Sequence, residues 1–235
     1  MFYHCTTPAE SADRSGMAPK VWHATAMIDD LLARIAEFHR SRTPFPEFPM
    51  VAEVLDVLDE VRSPPTMPHR PRLDVVRHLA TVAPTGTDLA VDAIIEEFVR
   101  VGVDLPWRQT ASYVEVLNAD YLANYGYVQL VGPVPAIIEH PTVRVGLGLW
   151  GPDLFYPLHE HPAEELYHVL FGEPSFGTDT DEWRPTAPGD AVHHRPWQRH
   201  AQRFGDTPTV LLYCWVGDVA SDAVLVGRGN DPSRV

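Results

Sequence analysis

Along this 235-residue chain the apolar positions change rhythm part-way, from helical spacing to the short alternating runs of strands. Between Trp22 and Phe38 the residues Ile28, Leu31, Leu32, Ile35 and Phe38 recur every three to four positions, and Pro44, Pro46 and Pro49 then break the pattern. This predicts an amphipathic helix ending near Arg40. Val51, Val54, Leu55, Leu58 and Val61 form a second stripe that stops before Pro64-Pro65. Leu73 to Val82 and Leu89 to Val101 predict two further helices, the second opened by Thr87-Asp88 as a cap. Ala111 to Asn124 predicts a fifth, with Tyr113, Leu117 and Tyr121 on one side.

After Tyr125, runs rich in Val, Leu, Tyr and Trp alternate with Gly and Pro, as in Tyr127 to Val131, Val143 to Trp150, Glu165 to Phe171 and Val210 to Val216. Such runs predict an antiparallel sandwich or barrel. The predicted organisation is a flexible N-terminus over 1–20, a helical part over 21–124 and a β-barrel over 125–235. The pattern leaves open whether the helices pack on the barrel's outside, cover its mouth or mediate a homodimer.

Composition narrows the function classes. Acidic residues outnumber basic ones 32 to 18, for a formal net charge of -14, without a Lys/Arg run able to grip a phosphate backbone, so nucleic acid is not an expected partner. The N-terminal residues lack an apolar signal core and no long apolar run follows, so neither export nor membrane insertion is signalled. Cys5 and Cys214 stand far apart, outside any CxxC spacing, which fits a reducing cytoplasm and excludes a thiolate zinc site.

Candidate chemistry concentrates in one segment. Of twelve histidines, His159, His161, His168, His193, His194 and His200 fall within a short stretch. Strand parity sends His159 and His161 to one face and Glu160 to the other. Pro162-Ala163-Glu164 predicts a turn into a strand on which Glu165, Tyr167 and Val169 share a face, while Leu166, His168 and Leu170 share the opposite one. Imidazole and carboxylate ligands without thiolate suit one divalent transition ion such as Fe, Zn, Mn, Co or Ni. A third imidazole must come from elsewhere. His193, His194 and His200, around the turn residues Gly189 and Pro196, are the choices.

These residues resemble the cupin superfamily, whose first motif HxHxxxExxxxxxG is matched without a gap by His159, His161, Glu165 and Gly172. The resemblance implies a jelly-roll barrel, and its second motif places the metal histidine eleven residues after a turn glycine, which selects His200 over His193 and His194. That second motif is altered: its proline is displaced to Pro196, its second glycine is Trp197 and its downstream asparagine is Phe204. Within the superfamily, Tyr156-Pro157-Leu158 before the ligands and Tyr167 after the glutamate look like the bacterial cupin-type dimethylsulfoniopropionate lyases. The resemblance implies His159, His161, Glu165 and His200 as metal ligands, Tyr167 as catalytic base and Tyr156 as a second pocket tyrosine. It also implies a small zwitterionic sulfonium carboxylate as substrate, cleaved by β-elimination to dimethyl sulfide and acrylate.

Such a substrate needs a base strong enough to remove a weakly acidic proton, and a cation near Tyr167 would lower its pKa from about 10. The sulfonium needs aromatic faces, for which Tyr156, Trp183, Trp197, Tyr213 and Trp215 are the candidates. His168 is expected to point away from the metal, and His193 and His194 are expected to have no primary role. An Fe(II) dioxygenase and a non-catalytic small-molecule binder are the competing readings of the same ligand set.

Overall fold

The computed structural model describes residues 18–42, 48–60, 67, 71–179 and 182–227. Helix α1 runs Ala18–Ser41, α2 Met50–Glu60 and α3 Leu89–Val101. Their predicted stripes are the buried ones: Ile28, Leu31, Ile35 and Phe38 on α1, and Val51, Val54 and Leu58 on α2, are almost wholly removed from solvent. α2 ends at Glu60, so the expected last apolar position, Val61, lies outside the described residues. Asp88 caps α3, its carboxylate accepting from the amides of Ala90 and Val91.

Two helical predictions need correction. The Leu73–Val82 segment is a 3-10 helix over Asp74–Thr81. Apolar residues three and four apart suit either helix type, and Val75, Val76 and Leu79 are buried in this one too. The expected continuous helix over Ala111–Asn124 is two short pieces, α4 (Ala111–Val114) and α5 (Ala119–Ala123). Asn118, in extended backbone, accepts from the Tyr121 amide and starts a new helix. Tyr113, Leu117 and Tyr121 are nevertheless all buried, as their spacing predicts.

Among the described residues eleven strands follow: β1 Tyr125–Gly132, β2 Ile138–Glu139, β3 Val143–Trp150, β4 Phe155–Glu160, β5 Glu164–Phe171, β6 Ser175–Thr178, β7 Trp183–Pro185, β8 Ala191–His194, β9 His200–Arg203, β10 Thr209–Val216 and β11 Val224–Leu225. They form a six-stranded sheet, β2-β1-β3-β10-β5-β8, and a five-stranded sheet, β11-β4-β9-β6-β7. Pairing is antiparallel except for β1 with the short β2. The fold is thus a jelly roll of two facing sheets rather than one continuously closed barrel.

The six-stranded sheet has two buried faces. Val145, Leu147 and Leu149 of β3, Leu166 and Leu170 of β5, and Leu212 and Cys214 of β10 join the helices in one apolar core. The helices therefore pack on the outside of the roll, with α3 against β5 and α2 against β3 and β10. The alternate residues, among them Tyr127, Trp150, Tyr167, Tyr213 and Trp215, face the space between the sheets in a second, aromatic core. Room for these rings comes from Gly146 and Gly148. A Cβ at Gly146 would lie 2.3 Å from the Tyr213 hydroxyl, and one at Gly148 2.4 Å from the Trp150 ring. Among the described residues no helix is long and apolar enough to cross a membrane.

Candidate metal centre and cavity

Register brings the predicted residues together from both sheets. His159 and His200 are direct partners across β4 and β9, and Glu165 faces them from β5, where it pairs with Trp215 on one side and His194 on the other. The ligand atoms of His161, Glu165 and His200 lie within 4.8 Å of one another. His159 stands beside this tight group: its ring centroid is 4.1 Å from that of His200 and 6.4 Å from that of His161. All four side chains are essentially buried.

The imidazoles are oriented by backbone. His159 Nδ1 lies 2.8 Å from the Pro157 carbonyl, His161 Nδ1 3.0 Å from that of Ala163, and His200 Nδ1 2.8 Å from that of Gln198. A carbonyl only accepts, so each Nδ1 carries the proton and each Nε2 presents a lone pair. His161 Nε2 and His200 Nε2 both stand 3.1 Å from Glu165 Oε2, and His200 Nε2 is a buried nitrogen without a hydrogen-bond partner. Lone pairs facing a carboxylate oxygen repel unless a cation lies between them. Two ligands bound at right angles about 2.1 Å from one ion are about 3 Å apart, so the donor set fits a divalent transition metal.

Burial and the neighbouring groups set the charge states of His159 and Glu165 in different ways. Burial, helped by the neighbouring His200, pushes His159 well below the usual histidine range. Burial alone would raise the Glu165 carboxyl, but His161, His194 and His200 together hold it well below the carboxylate range. His194 is the member whose contact to the centre was not foreseen. Its Nδ1 donates to Glu165 Oε2 at 3.2 Å and its ring stacks on His200, centroids 3.8 Å apart. Trp215 donates its indole N–H to Glu165 Oε1 and stacks on His161 at 4.0 Å. Both Glu165 oxygens are thereby oriented.

A cavity of about 40 Å³ adjoins Glu165, small beside the roughly 300–1,000 Å³ of drug-sized pockets. Tyr156, Tyr167, Tyr213 and Trp215 line it, together with Tyr125, Tyr127 and Trp150, whose inward direction follows from alternation on β1 and β3. Tyr167 lines the cavity on the same face of β5 as Glu165, and burial together with that carboxylate raises its phenol well above the ordinary value. The lowering expected beside a cation concerns the metal-loaded site; the chain's own carboxylate acts in the opposite sense. Tyr156 stacks on His159 at 3.9 Å, and its hydroxyl is 2.8 Å from that of Tyr113.

Other expectations fare differently. Trp183 and Trp197 are not cavity walls: Trp183 lies under Arg203, 3.9 Å from its ring centroid, and lines a separate cavity, while Trp197 is 59% exposed. Trp197 has φ +61°, the left-handed conformation that the motif's glycine would adopt freely. Its amide donates to the His161 carbonyl at 2.7 Å, which ties this loop to the ligand-bearing turn. His168 points away as parity predicts, into the helix-side core, with its centroid 4.8 Å from that of Phe38. His193 pairs with Glu164 at 2.8 Å, partly exposed.

Two facing sheets with imidazoles and a carboxylate converging between them define a cupin-type fold with a candidate metal centre. The model of the dimethylsulfoniopropionate lyase family matches residues 50–211, which include all six predicted site residues. Dimethylsulfoniopropionate lyase DddQ of Ruegeria pomeroyi is 32% identical over 142 residues, 60% of this chain and 70% of that protein. The crystal structure of DddQ from Ruegeria pomeroyi DSS-3 superposes with a TM-score of 0.72 at 27% identity, covering 88% of this chain and 99% of that one. A chain from the solved structures of the DMSP lyases RdDddP and RnDddQII gives 0.68 at 25% identity, over 86% of this chain and 98% of that one. The chain belongs to the dimethylsulfoniopropionate lyase family.

Proposed function

We propose that this protein is a metal-dependent lyase that splits dimethylsulfoniopropionate into dimethyl sulfide and acrylate, with Tyr167 as the base. The observation that carries the reading is that Tyr167 and Glu165 line one cavity, beside a His200 Nε2 that is buried without a hydrogen-bond partner among the described residues. His159, His161, Glu165 and His200 are the residues that would hold the ion, and family membership supports the substrate. A divalent ion bound there supplies Lewis acidity toward a substrate carboxylate and a positive charge that offsets the effect of Glu165 on the Tyr167 phenol.

The chain's own residues account for the rest. The Tyr167 phenolate takes a proton from the carbon next to the carboxylate, the C–H electron pair becomes the new double bond, and the carbon–sulfur bond breaks. Dimethyl sulfide leaves as a neutral molecule that needs no proton, so a single base suffices. Tyr156, its hydroxyl engaged by Tyr113, serves as cavity wall, and the aromatic faces around it replace water about the sulfonium.

Metal-loaded protein incubated anaerobically with dimethylsulfoniopropionate should release dimethyl sulfide into the headspace. Tyr167→Phe should lose at least about 100-fold in turnover, a typical general-base contribution, while keeping its metal. Normal turnover in that variant would remove Tyr167 from the mechanism, and a requirement for oxygen would replace elimination with oxidation.

A further inference from the structure

The cavity carries a fixed positive charge where its proposed ligand brings another. Arg144 faces inward from β3, directly opposite Trp215, which in turn is opposite Glu165 on β5. Two strand spacings separate Arg144 from Glu165, roughly 10 Å of backbone. The guanidinium lies 4.7 Å from the centroid of the Trp215 ring, one of its nitrogens donates to the Val219 carbonyl, and Nε is buried without a hydrogen-bond partner. Its side chain is only 7% exposed, and a guanidinium does not shed its proton. The remaining Nη is 3.5 Å from Asp222 Oδ1, and Asp222, its side chain 43% exposed, lines the same cavity from the segment after β10.

A sulfonium held among these aromatic rings would feel Arg144 as a like charge across a poorly solvated space. Asp222 supplies the only carboxylate on the cavity wall apart from Glu165 among the described residues. We propose that Asp222 is a specificity-determining residue: it cancels Arg144, so the cavity accepts a ligand with a cationic end and prefers it over an uncharged one. This rests on the function proposed above. Asp222 also lies beyond residues 50–211, the stretch that the family model matches.

The test compares two ligands that differ in charge at one atom. Binding of dimethylsulfoniopropionate and of its thioether analogue, methylthiopropionate, which keeps the carboxylate but is uncharged at sulfur, is measured calorimetrically on metal-loaded Tyr167→Phe protein, with and without Asp222→Asn or Asp222→Glu. Asp222→Asn should weaken the sulfonium ligand about tenfold or more, the order expected for an uncompensated like charge at partly screened short range. It should leave the thioether within about twofold on the same grounds, and Asp222→Glu should restore the preference. An unchanged ratio of the two affinities, or equal loss of both, would overturn the proposal and leave the lyase reading standing. Binding of neither ligand by the parent protein would overturn both.

Discussion

The two faces of the six-stranded sheet treat polar residues in opposite ways. Toward the helices, His168 is buried with neither ring nitrogen hydrogen-bonded, and Cys214 has His39 Nε2 at 3.6 Å as its polar neighbour. Toward the cavity, Glu165 accepts from His194 and Trp215, and Tyr167 lines the same space beside it. Tyr167 and His168 are consecutive on β5, so the difference is not one of location along the chain. One face is an apolar core that tolerates an isolated imidazole at some cost in stability. The other is a network in which each polar group fixes the next, as a reactive centre requires.

The comparison is broken most severely at Glu165. Glu165→Gln removes the anionic charge around which the imidazoles are arranged, and is expected to lower metal affinity by about 100-fold or more, read by competition with a chelator. Retained affinity would remove Glu165 from the ligand set.

On the helix side the expected effect concerns folding rather than chemistry. Burial, with the Arg42 charge adding to it, lowers His39 from 6.5 to about 4. Between those values the unfolded chain binds more protons than the folded one, so stability falls as pH drops through the window and levels off below it. The loss from this residue should approach about 3 kcal/mol. Urea melts at pH 7 and pH 4 should show it, and His39→Leu should flatten that part of the profile.

His168→Leu sharpens the contrast with its neighbour Tyr167. Replacing an unsatisfied buried imidazole by an apolar side chain should stabilise the fold by about 1 to 2 kcal/mol and leave turnover within about twofold. A large loss of turnover would show that the two faces are coupled through β5. Smallest is Trp197→Gly, which relieves a left-handed backbone at an exposed side chain. A gain of about 1 kcal/mol or less is expected in the same melts, because glycine's greater freedom in the unfolded chain offsets part of the relief.

Much of this was legible beforehand because it is local. The spacing of His159, His161 and Glu165, the parity that separates Tyr167 from His168, and the apolar stripes of α1, α2 and α3 are each written within a few residues. The missed features have a common origin. The break at Asn118 and the 3-10 form of Asp74–Thr81 depend on capping and on a helix type that apolar spacing does not distinguish. Trp183 and Trp197 were expected in the cavity because aromaticity is visible in a sequence, whereas the surface a ring occupies is not.

The sequence by itself determined which side of β5 Glu165, Tyr167 and His168 take and which donors are available to a metal, since backbone periodicity and ligand chemistry are properties of short segments. Only the tertiary structure decided that Arg144, Trp215 and Glu165 form one row, that His194 reaches Glu165 from β8, and that Asp222 returns to face Arg144. Those contacts arise from pairing between strands distant in the chain, and the pairing is selected by the packing of the whole molecule.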